Sequence, residues 1–162
     1  LVEKMEIRIM SMALVEDRIT DSGRLDRIGM EPLLAEQVAR IRYNFPGLQD
    51  SVECSVAAEG VVLGADDAMA LALIACELAD NAFRHAFAFS AAGRFSLDLS
   101  RTPEDGIVLE ARDDGRGLPD PMVERLGLTI ARALAAQRGW VVEPGASAPG
   151  NGASVRVKRA TP

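Results

Sequence analysis

Two cysteines and a single histidine leave the sequence with few side chains for a transition-metal site. Cys54 and Cys76 both lie in apolar surroundings, and neither has a closely spaced Cys or His partner, as a zinc site requires. We therefore expect both cysteines to be buried, reduced thiols of a cytoplasmic protein.

A long apolar run and an excess of basic residues are also missing. The longest apolar stretch, 68–76, is far too short to cross a bilayer, and no signal-peptide pattern opens the chain. The net charge of -6 argues against a general binder of nucleic acid or anionic membranes, because such proteins need a basic surface. Since the chain begins at Leu1 rather than Met, we interpret it as a fragment of a larger protein.

What is present indicates one folded domain with an appended helix. A length of 162 residues, with 48% hydrophobic and 26% charged residues, is typical of a soluble globular protein. Apolar periodicity predicts helices at 2–20, 31–43, 66–88 and 122–138. Alternation predicts strands at 51–57, 95–99, 107–111, 140–143 and 154–158. This order predicts an α+β fold in which a layer of helices covers one mixed sheet.

The third predicted helix is apolar on most sides but carries a polar stripe. At about 100° per residue, the members of this stripe fall within roughly a 100° arc: Glu77, Asn81, Arg84 and His85. An amide oxygen and a carboxylate suit Mg²⁺, and a guanidinium suits phosphate, so a metal-phosphate ligand is one interpretation. A solvent-facing edge of an amphipathic helix is the alternative, and this segment alone does not decide between them.

An acidic, glycine-containing segment, Asp113-Asp114-Gly115-Arg116-Gly117, follows directly on a predicted strand. The glycines would let the backbone approach a flat ligand. A carboxylate at the strand end would accept a hydrogen bond from an amino group such as that of adenine. A plain acidic turn is the alternative, because Asp and Gly are the commonest turn formers.

Two further glycine segments follow. Gly127-Leu128 leads into a predicted helix, and the first N–H groups of this helix would bind anionic oxygens. The alternative is a helix that only packs on the sheet. The segment 150–154 is either a hairpin turn or a loop beside a ligand. We favour the turn, with Gly152 contributing to a pocket wall.

Taken in order, these segments resemble the sequence boxes of histidine kinases. The resembling segments are the N box at 77–87, the first glycine box at 113–119, the second at 127–135 and the closing glycine segment at 152–154. The resemblance covers about 31–159 and implies the GHKL-type (Bergerat) ATPase fold, a two-layer α/β sandwich shared with Hsp90, gyrase and MutL. The His of the N box and the stretch 8–15 are similar to kinases related to the HWE type, in which this stretch belongs to a dimerisation hairpin.

The resemblance implies the ATP-binding catalytic domain of a bacterial two-component sensor histidine kinase, which passes the γ-phosphoryl group of Mg-ATP to a histidine not present in this chain. Glu77 would be the catalytic residue, assisting transfer or ordering the metal's water. Asn81 would be the Mg²⁺ ligand, and Asp113 the acceptor for the adenine amino group. The remaining nucleotide-binding residues would be Arg84 at the phosphates, with His85, Gly115, Gly117, Gly127, Leu128 and Gly152.

The resemblance also predicts organisation and partners. A helical stub at 1–28 would come from the dimerisation and phosphoacceptor region, and the ATP-binding domain would occupy 29–162. The partners would be ATP or ADP, a response regulator and a second copy bound through the N-terminal helix, with no nucleic acid and no membrane contact. Three apolar residues of the first helix would either form the helix–helix interface of a four-helix bundle or cover the domain's own core: Ile7, Met10 and Leu14.

The only histidine, His85, lies inside the N box, so the chain carries no evident phosphoacceptor. Nine residues separate Gly117 from Gly127, which predicts a short lid over the phosphates. Either the first dimerisation helix lies outside this sequence, or the domain phosphorylates or inhibits a partner. The alternative function is therefore a non-catalytic anti-sigma-type regulator or phosphotransfer adaptor of the same fold, and a weaker one is a serine/threonine kinase of the anti-sigma class.

Overall fold

The computed structural model describes residues 2–23, 27–87, 92–103, 106–116, 126–144 and 152–159. Its helices are α1 (Val2–Ser22), α2 (Met30–Tyr43), α3 (Ala65–Asn81), a π-helical turn (Ala82–Ala86) and α4 (Leu126–Gln137). Its strands are β1 (Ile28–Gly29), β2 (Val52–Ala57), β3 (Val62–Leu63), β4 (Gly93–Arg101), β5 (Ile107–Asp113), β6 (Trp140–Pro144) and β7 (Ala153–Arg159). Within these ranges, no helix is both long enough and apolar enough to span a bilayer.

Five strands form one mixed sheet in the order β2-β4-β5-β7-β6. β2 runs parallel to β4, because the chain returns to the sheet through α3, and the other neighbours are antiparallel. The β4–β5 hairpin and the final β6–β7 pair are confirmed. A separate two-stranded ladder pairs β1 with β3, and alternation did not predict it because each strand has only two residues.

Strand alternation gives the sheet one apolar and one polar face. Phe95, Leu97 and Leu109 point toward the helices and are almost fully buried. On the opposite face, Glu110 pairs with Arg112 at 2.8 Å and with Arg156 at 3.2 Å. The described helices therefore cover one face of the sheet, which confirms the predicted two-layer α/β arrangement.

A buried polar contact joins the three helices α1, α2 and α3. The side-chain amide nitrogen of Gln37 in α2 lies 2.7 Å from the Ser11 hydroxyl oxygen of α1 and 2.7 Å from the Ala72 carbonyl oxygen of α3. Because polar groups buried between helices are costly without partners, these bonds favour one relative position of the three helices.

Helix α1 shares the core of the domain. Ile7 and Leu14 are buried within it, so these two side chains cover the domain's own core, whereas Met10 is 38% exposed. Met5 and Ile9 lie on the outer side of α1 and are mainly exposed. The division of the chain at residue 28 and the homodimer remain predictions.

Helices α3 and α4 lie side by side in opposite directions. Asp67, in the first turn of α3, accepts a hydrogen bond from Arg138, which follows α4, at 2.7 Å. An acidic residue at this position also interacts favourably with the positive end of the helix dipole. The C-terminal end of α4 thus lies beside the start of α3, and the first turn of α4 lies beside the last turns of α3.

The predicted helix at 66–88 is wrong in one respect, because regular α-helix ends at Asn81 and a π-helical turn follows. The Phe87 amide bonds the Ala82 carbonyl at 3.3 Å, five residues back. Phe83 in this turn packs against Phe45, Phe87 and Phe95 at ring-centroid separations of 5.5 to 6.0 Å. The spacing of apolar residues in the sequence does not distinguish such a π-helical turn from α-helix. Arg84 and His85 therefore do not follow the α-helical spacing of 100° per residue that placed them in one stripe with Glu77 and Asn81.

Both cysteines are free thiols. Cys76 is fully buried in α3, as predicted, and burial raises its pKa to about 12, which keeps the sulfur protonated. Cys54 in β2 is half-buried, and burial raises its pKa as well.

Candidate functional site

The last turns of α3 bring Glu77 and Asn81 against the start of α4. A Cβ atom built on Gly127 would lie 2.6 Å from Glu77 Oε2 and 3.1 Å from Asn81 Nδ2. A Cβ here would displace these two side-chain groups, so Gly127 lets α4 pack closely against both of them. Three residues that the sequence predicts for one site are therefore neighbours.

The side-chain oxygen of Asn81 has no hydrogen-bond partner among the residues that the structure describes. Asn81 Oδ1 is buried and accepts no hydrogen bond from the described residues. A buried acceptor without a donor costs on the order of 1–3 kcal/mol. The atom is therefore suited to a donor or a cation from outside the protein.

Glu77 is 4% exposed and pairs with a residue of α1. The Arg8 Nε–H donates to Glu77 Oε1, and this hydrogen bond raises the pKa of Arg8. No sequence motif predicted a role for Arg8. Helical spacing would have helped, because Arg8, Ser11 and Val15 lie at intervals that place them on the buried side of α1.

Asp113, the last residue of β5, is held by two backbone donors. Its Oδ1 accepts from the Gly115 amide at 3.1 Å and from the Ala153 amide at 3.3 Å. Gly152 has φ of 82°, and a Cβ there would lie 1.8 Å from the Asp113 carbonyl oxygen. The first glycine box and the closing glycine segment therefore meet around one half-buried carboxylate.

The carboxyl group of Asp113 is harder to ionise than usual. Burial is the main cause and raises its pKa, and the nearby Asp114 carboxylate acts in the same direction. The two hydrogen bonds from Gly115 and Ala153 oppose this effect without cancelling it.

The first glycine box also packs on the end of the N box. A Cβ on Gly115 would lie 2.5 Å from the Ala86 carbonyl oxygen, to which the Arg116 amide donates at 3.2 Å. Asp114 Oδ1 accepts from the Arg94 amide at 2.6 Å, which ties the loop to the start of β4. The π-helical turn thus connects the Asn81 region with the Asp113 region.

Arg84 and His85 lie in the π-helical turn and are half-buried. The Arg84 Nε–H donates to Asp80 at 2.8 Å, and its guanidinium lies 5.2 Å from the ring centre of Phe45. These contacts hold Arg84 beside Asp80 rather than grouping it with Glu77 and Asn81. The roles predicted for Arg84 and His85 remain predictions.

Leu128 and Gly117 were also predicted to bind the nucleotide. Leu128 is half-buried and packs against the core next to Gly127. Gly117 lies outside the described residues.

An open groove of about 470 Å³ on the other face of the sheet also borders Asp113. Most of its lining comes from the outer face of the sheet: Glu53, Ser55, Arg94, Ser96 and Arg112, with Phe95, Asp113 and Asp114. Because Glu77, Asn81 and Gly127 do not line this groove, we do not assign it to the candidate site.

The chain is similar to known proteins both in sequence family and in fold. Residues 66–160 match the family model described as histidine kinase-, DNA gyrase B-, and HSP90-like ATPase. The sensor histidine kinase PdtaS of Mycolicibacterium smegmatis is 34% identical over 132 residues, which cover 78% of this chain and 26% of that protein. The chain therefore spans about a quarter of the length of this relative.

Two solved structures illustrate the similarity of fold. The histidine kinase domain of the Erythrobacter litoralis blue-light activated kinase EL346 superposes with a TM-score of 0.85 at 22% identity, covering 96% of this chain and 74% of that one. The Acinetobacter baumannii histidine kinase AdeS superposes with a TM-score of 0.60 at 19% identity, covering 99% of this chain and 76% of that one.

Proposed function

The chain belongs to the histidine kinase-, DNA gyrase B-, and HSP90-like ATPase family, and we propose that it is the ATP-binding catalytic domain of a bacterial sensor histidine kinase. It would transfer the γ-phosphoryl group of Mg-ATP to a histidine outside this chain. The observation that carries the proposal is the meeting of the N box with the second glycine box, where Gly127 packs against Glu77 and Asn81. By extension from its relatives, we also propose a response regulator as partner.

Asn81 fits the role of a Mg²⁺ ligand. Its Oδ1 is buried without a partner among the described residues, and an amide oxygen is a hard ligand of the kind Mg²⁺ prefers. Magnesium in nucleotide sites takes few protein ligands and completes its shell with phosphate oxygens and water. A single amide oxygen beside a buried carboxylate, that of Glu77, agrees with such a site.

Asp113 fits the role of the adenine acceptor. Two backbone N–H groups fix the position of its carboxylate, and partial burial makes a further hydrogen bond there stronger than it would be in water. The neighbouring Gly115 and Gly152 keep the backbone close to this carboxylate.

When bound, Mg-ATP supplies the transferable phosphoryl group and the metal charge that offsets its negative charge. The residues of this chain contribute positioning and charge, which are the main requirements of phosphoryl transfer. Glu77 would order a water or assist transfer at the phosphate end. The N–H groups of the first turn of α4, starting at Gly127, would favour anionic oxygens.

Calorimetry with Mg-ADP tests the proposal. We expect saturable binding with a dissociation constant below about 1 mM, which corresponds to roughly 4 kcal/mol of binding free energy. The same titration with Mg-GDP should bind more weakly, because guanine presents no amino group at the position where adenine would donate to Asp113. Absence of any heat of binding at millimolar Mg-ADP would contradict the proposed function.

Nucleotide affinity should depend on pH through Asp113. Its carboxylate accepts the adenine amino group most strongly when ionised, because a charged acceptor makes a stronger hydrogen bond, so affinity is highest above its pKa and decreases as the pH falls through that value. Because burial raises this pKa, the loss should begin at a higher pH than for an ordinary aspartate. The measurement is Mg-ADP affinity from neutral to mildly acidic pH, in the wild type and in Asp113→Asn.

Nucleotide phosphates titrate too, so the difference between the two profiles isolates Asp113. Asp98→Asn, which alters an exposed carboxylate on β4, is the matched control and should keep the wild-type profile. Parallel profiles for the wild type and Asp113→Asn would count against Asp113 as the adenine acceptor.

A further inference from the structure

We propose that Arg8 of α1 is a phosphate-binding residue of the nucleotide site. The inference rests on the proposed function and adds to it a residue that lies outside the segment matched by the family model, which begins at residue 66. If it is right, α1 is part of the site as well as part of the helical layer.

The first observation is the position of the Arg8 guanidinium. Its Nε–H donates to Glu77 Oε1, while Glu77 Oε2 faces Gly127 at the start of α4. Asn81, one helical turn after Glu77, faces the same glycine. One buried carboxylate is therefore surrounded by the cation of α1, the amide of α3 and the first turn of α4.

The second observation is a pair of buried polar atoms without a partner in the described part of the chain. Arg8 Nη2 is a cationic donor and Asn81 Oδ1 is a neutral acceptor, and neither forms a hydrogen bond with the described residues. Each is costly to leave unpaired. A metal-bound phosphate would satisfy both, with a phosphate oxygen on the guanidinium and the metal on the amide oxygen.

The third observation is the balance of charge. Glu77 and Asp80 place two buried carboxylates in α3, and a phosphate approaching them would be repelled if they were uncompensated. Arg84 pairs with Asp80, and Arg8 pairs with Glu77. The Arg8 pair therefore offsets the charge of Glu77, the carboxylate that faces Gly127 together with Asn81, and leaves one guanidinium nitrogen for a ligand oxygen.

Both unpaired atoms are covered, so a ligand must displace something to reach them. Gly127 packs directly against Glu77 and Asn81, which makes the first turn of α4 the element that has to shift. In phosphoryl-transfer sites a bound metal ion would neutralise charge on the outer phosphates. The contact with Arg8 should therefore favour nucleotides that have β- and γ-phosphates.

The experiment must separate a phosphate contact from simple neutralisation of Glu77. Arg8→Gln alone leaves Glu77 buried and unpaired, which would destabilise the fold. Arg8→Gln is therefore compared with the wild-type residue in a Glu77→Gln background, where that charge is absent. The readouts are the dissociation constants of Mg²⁺ with a non-hydrolysable ATP analogue and with AMP, together with the unfolding temperature.

We expect Arg8→Gln, in the Glu77→Gln background, to weaken binding of the ATP analogue by about tenfold to a hundredfold, as for loss of one charge-assisted hydrogen bond. AMP binding should change by no more than about twofold, because AMP lacks the outer phosphates that Arg8 would contact beside a metal held by Asn81. Arg8→Lys should restore part of the loss, because it keeps the charge without the planar fork.

Arg18→Gln is the matched control, because Arg18 lies on the same helix and pairs with Glu36 at 2.8 Å, away from Glu77. Equal affinities for the ATP analogue in Glu77→Gln and in Arg8→Gln/Glu77→Gln would overturn the proposal and leave the proposed function standing. So would an equal loss in Arg18→Gln, since the effect would then belong to α1 as a whole. Failure of the wild type to bind any nucleotide would overturn both.

Discussion

Replacing Asn81 with alanine is expected to remove the metal-dependent part of nucleotide affinity, a loss on the order of 100-fold or more. Changes in the outer shell of metal sites already lower metal affinity by about 10- to 100-fold, so losing a direct ligand should cost at least as much. The expectation follows from the buried Oδ1 of Asn81, which lacks a partner among the described residues. ADP titrations with excess Mg²⁺ and with a chelator give the metal-dependent part as the ratio of the two affinities.

Two further variants sharpen this test. Asn81→Asp keeps an oxygen ligand and should retain part of the response to Mg²⁺, although its added negative charge lies close to Glu77. Asn44→Ala, at the exposed end of α2, changes the same residue type away from the site and should behave as the wild type. A full Mg²⁺ response in Asn81→Ala would mean that the metal is held elsewhere.

Replacing Gly152 with alanine is expected to lower the free energy of unfolding by about 3 kcal/mol or more, at the upper end of what overpacking costs. A Cβ there would lie 1.8 Å from the Asp113 carbonyl oxygen, and the backbone has φ of 82°. Since the obstacle is backbone rather than a flexible side chain, β5 and β7 must separate. Mg-ADP affinity should fall with stability, because Asp113 would lose the Ala153 donor.

Gly139 provides the control for Gly152. It also has positive φ, of 69°, but a Cβ there meets no atom within 4 Å. Gly139→Ala should therefore cost only about 1–2 kcal/mol, from the left-handed backbone conformation. Urea denaturation of both variants measures the difference, and equal losses would show that conformation rather than collision dominates at Gly152.

Much of the fold could be predicted because the sequence alternates clearly where the sheet has one buried face. Phe95, Leu97 and Leu99 follow each other at every second position, so β4 and its inward face are readable from the sequence. The π-helical turn was not readable, since Phe83 and Phe87 fit an α-helical pattern equally well. The strand order was not readable either, because β7 pairs with β5 across 40 residues or more of chain.

The candidate site was predictable where residues lie close in the sequence or match an ordered set of boxes. Glu77 and Asn81 are one helical turn apart, and the second glycine box placed Gly127 near them. Asp80 and Arg84 are four residues apart, a spacing at which opposite charges commonly pair on a helix. This spacing would have argued against assigning Arg84 to phosphate binding. Arg8 meets Glu77 across 69 positions, and no local pattern contains that contact.

The position of β7 has a consequence for synthesis of the protein. This strand is the last one described, yet it lies between β5 and β6 and provides the Ala153 amide that reaches Asp113. Until that stretch leaves the ribosome, both neighbouring strands present open edges, which invite association with other nascent chains. A stop codon shortly before Gly152 would therefore yield an aggregation-prone product in which Asp113 lacks the Ala153 donor, and chaperone capture should be strongest just before β7 emerges.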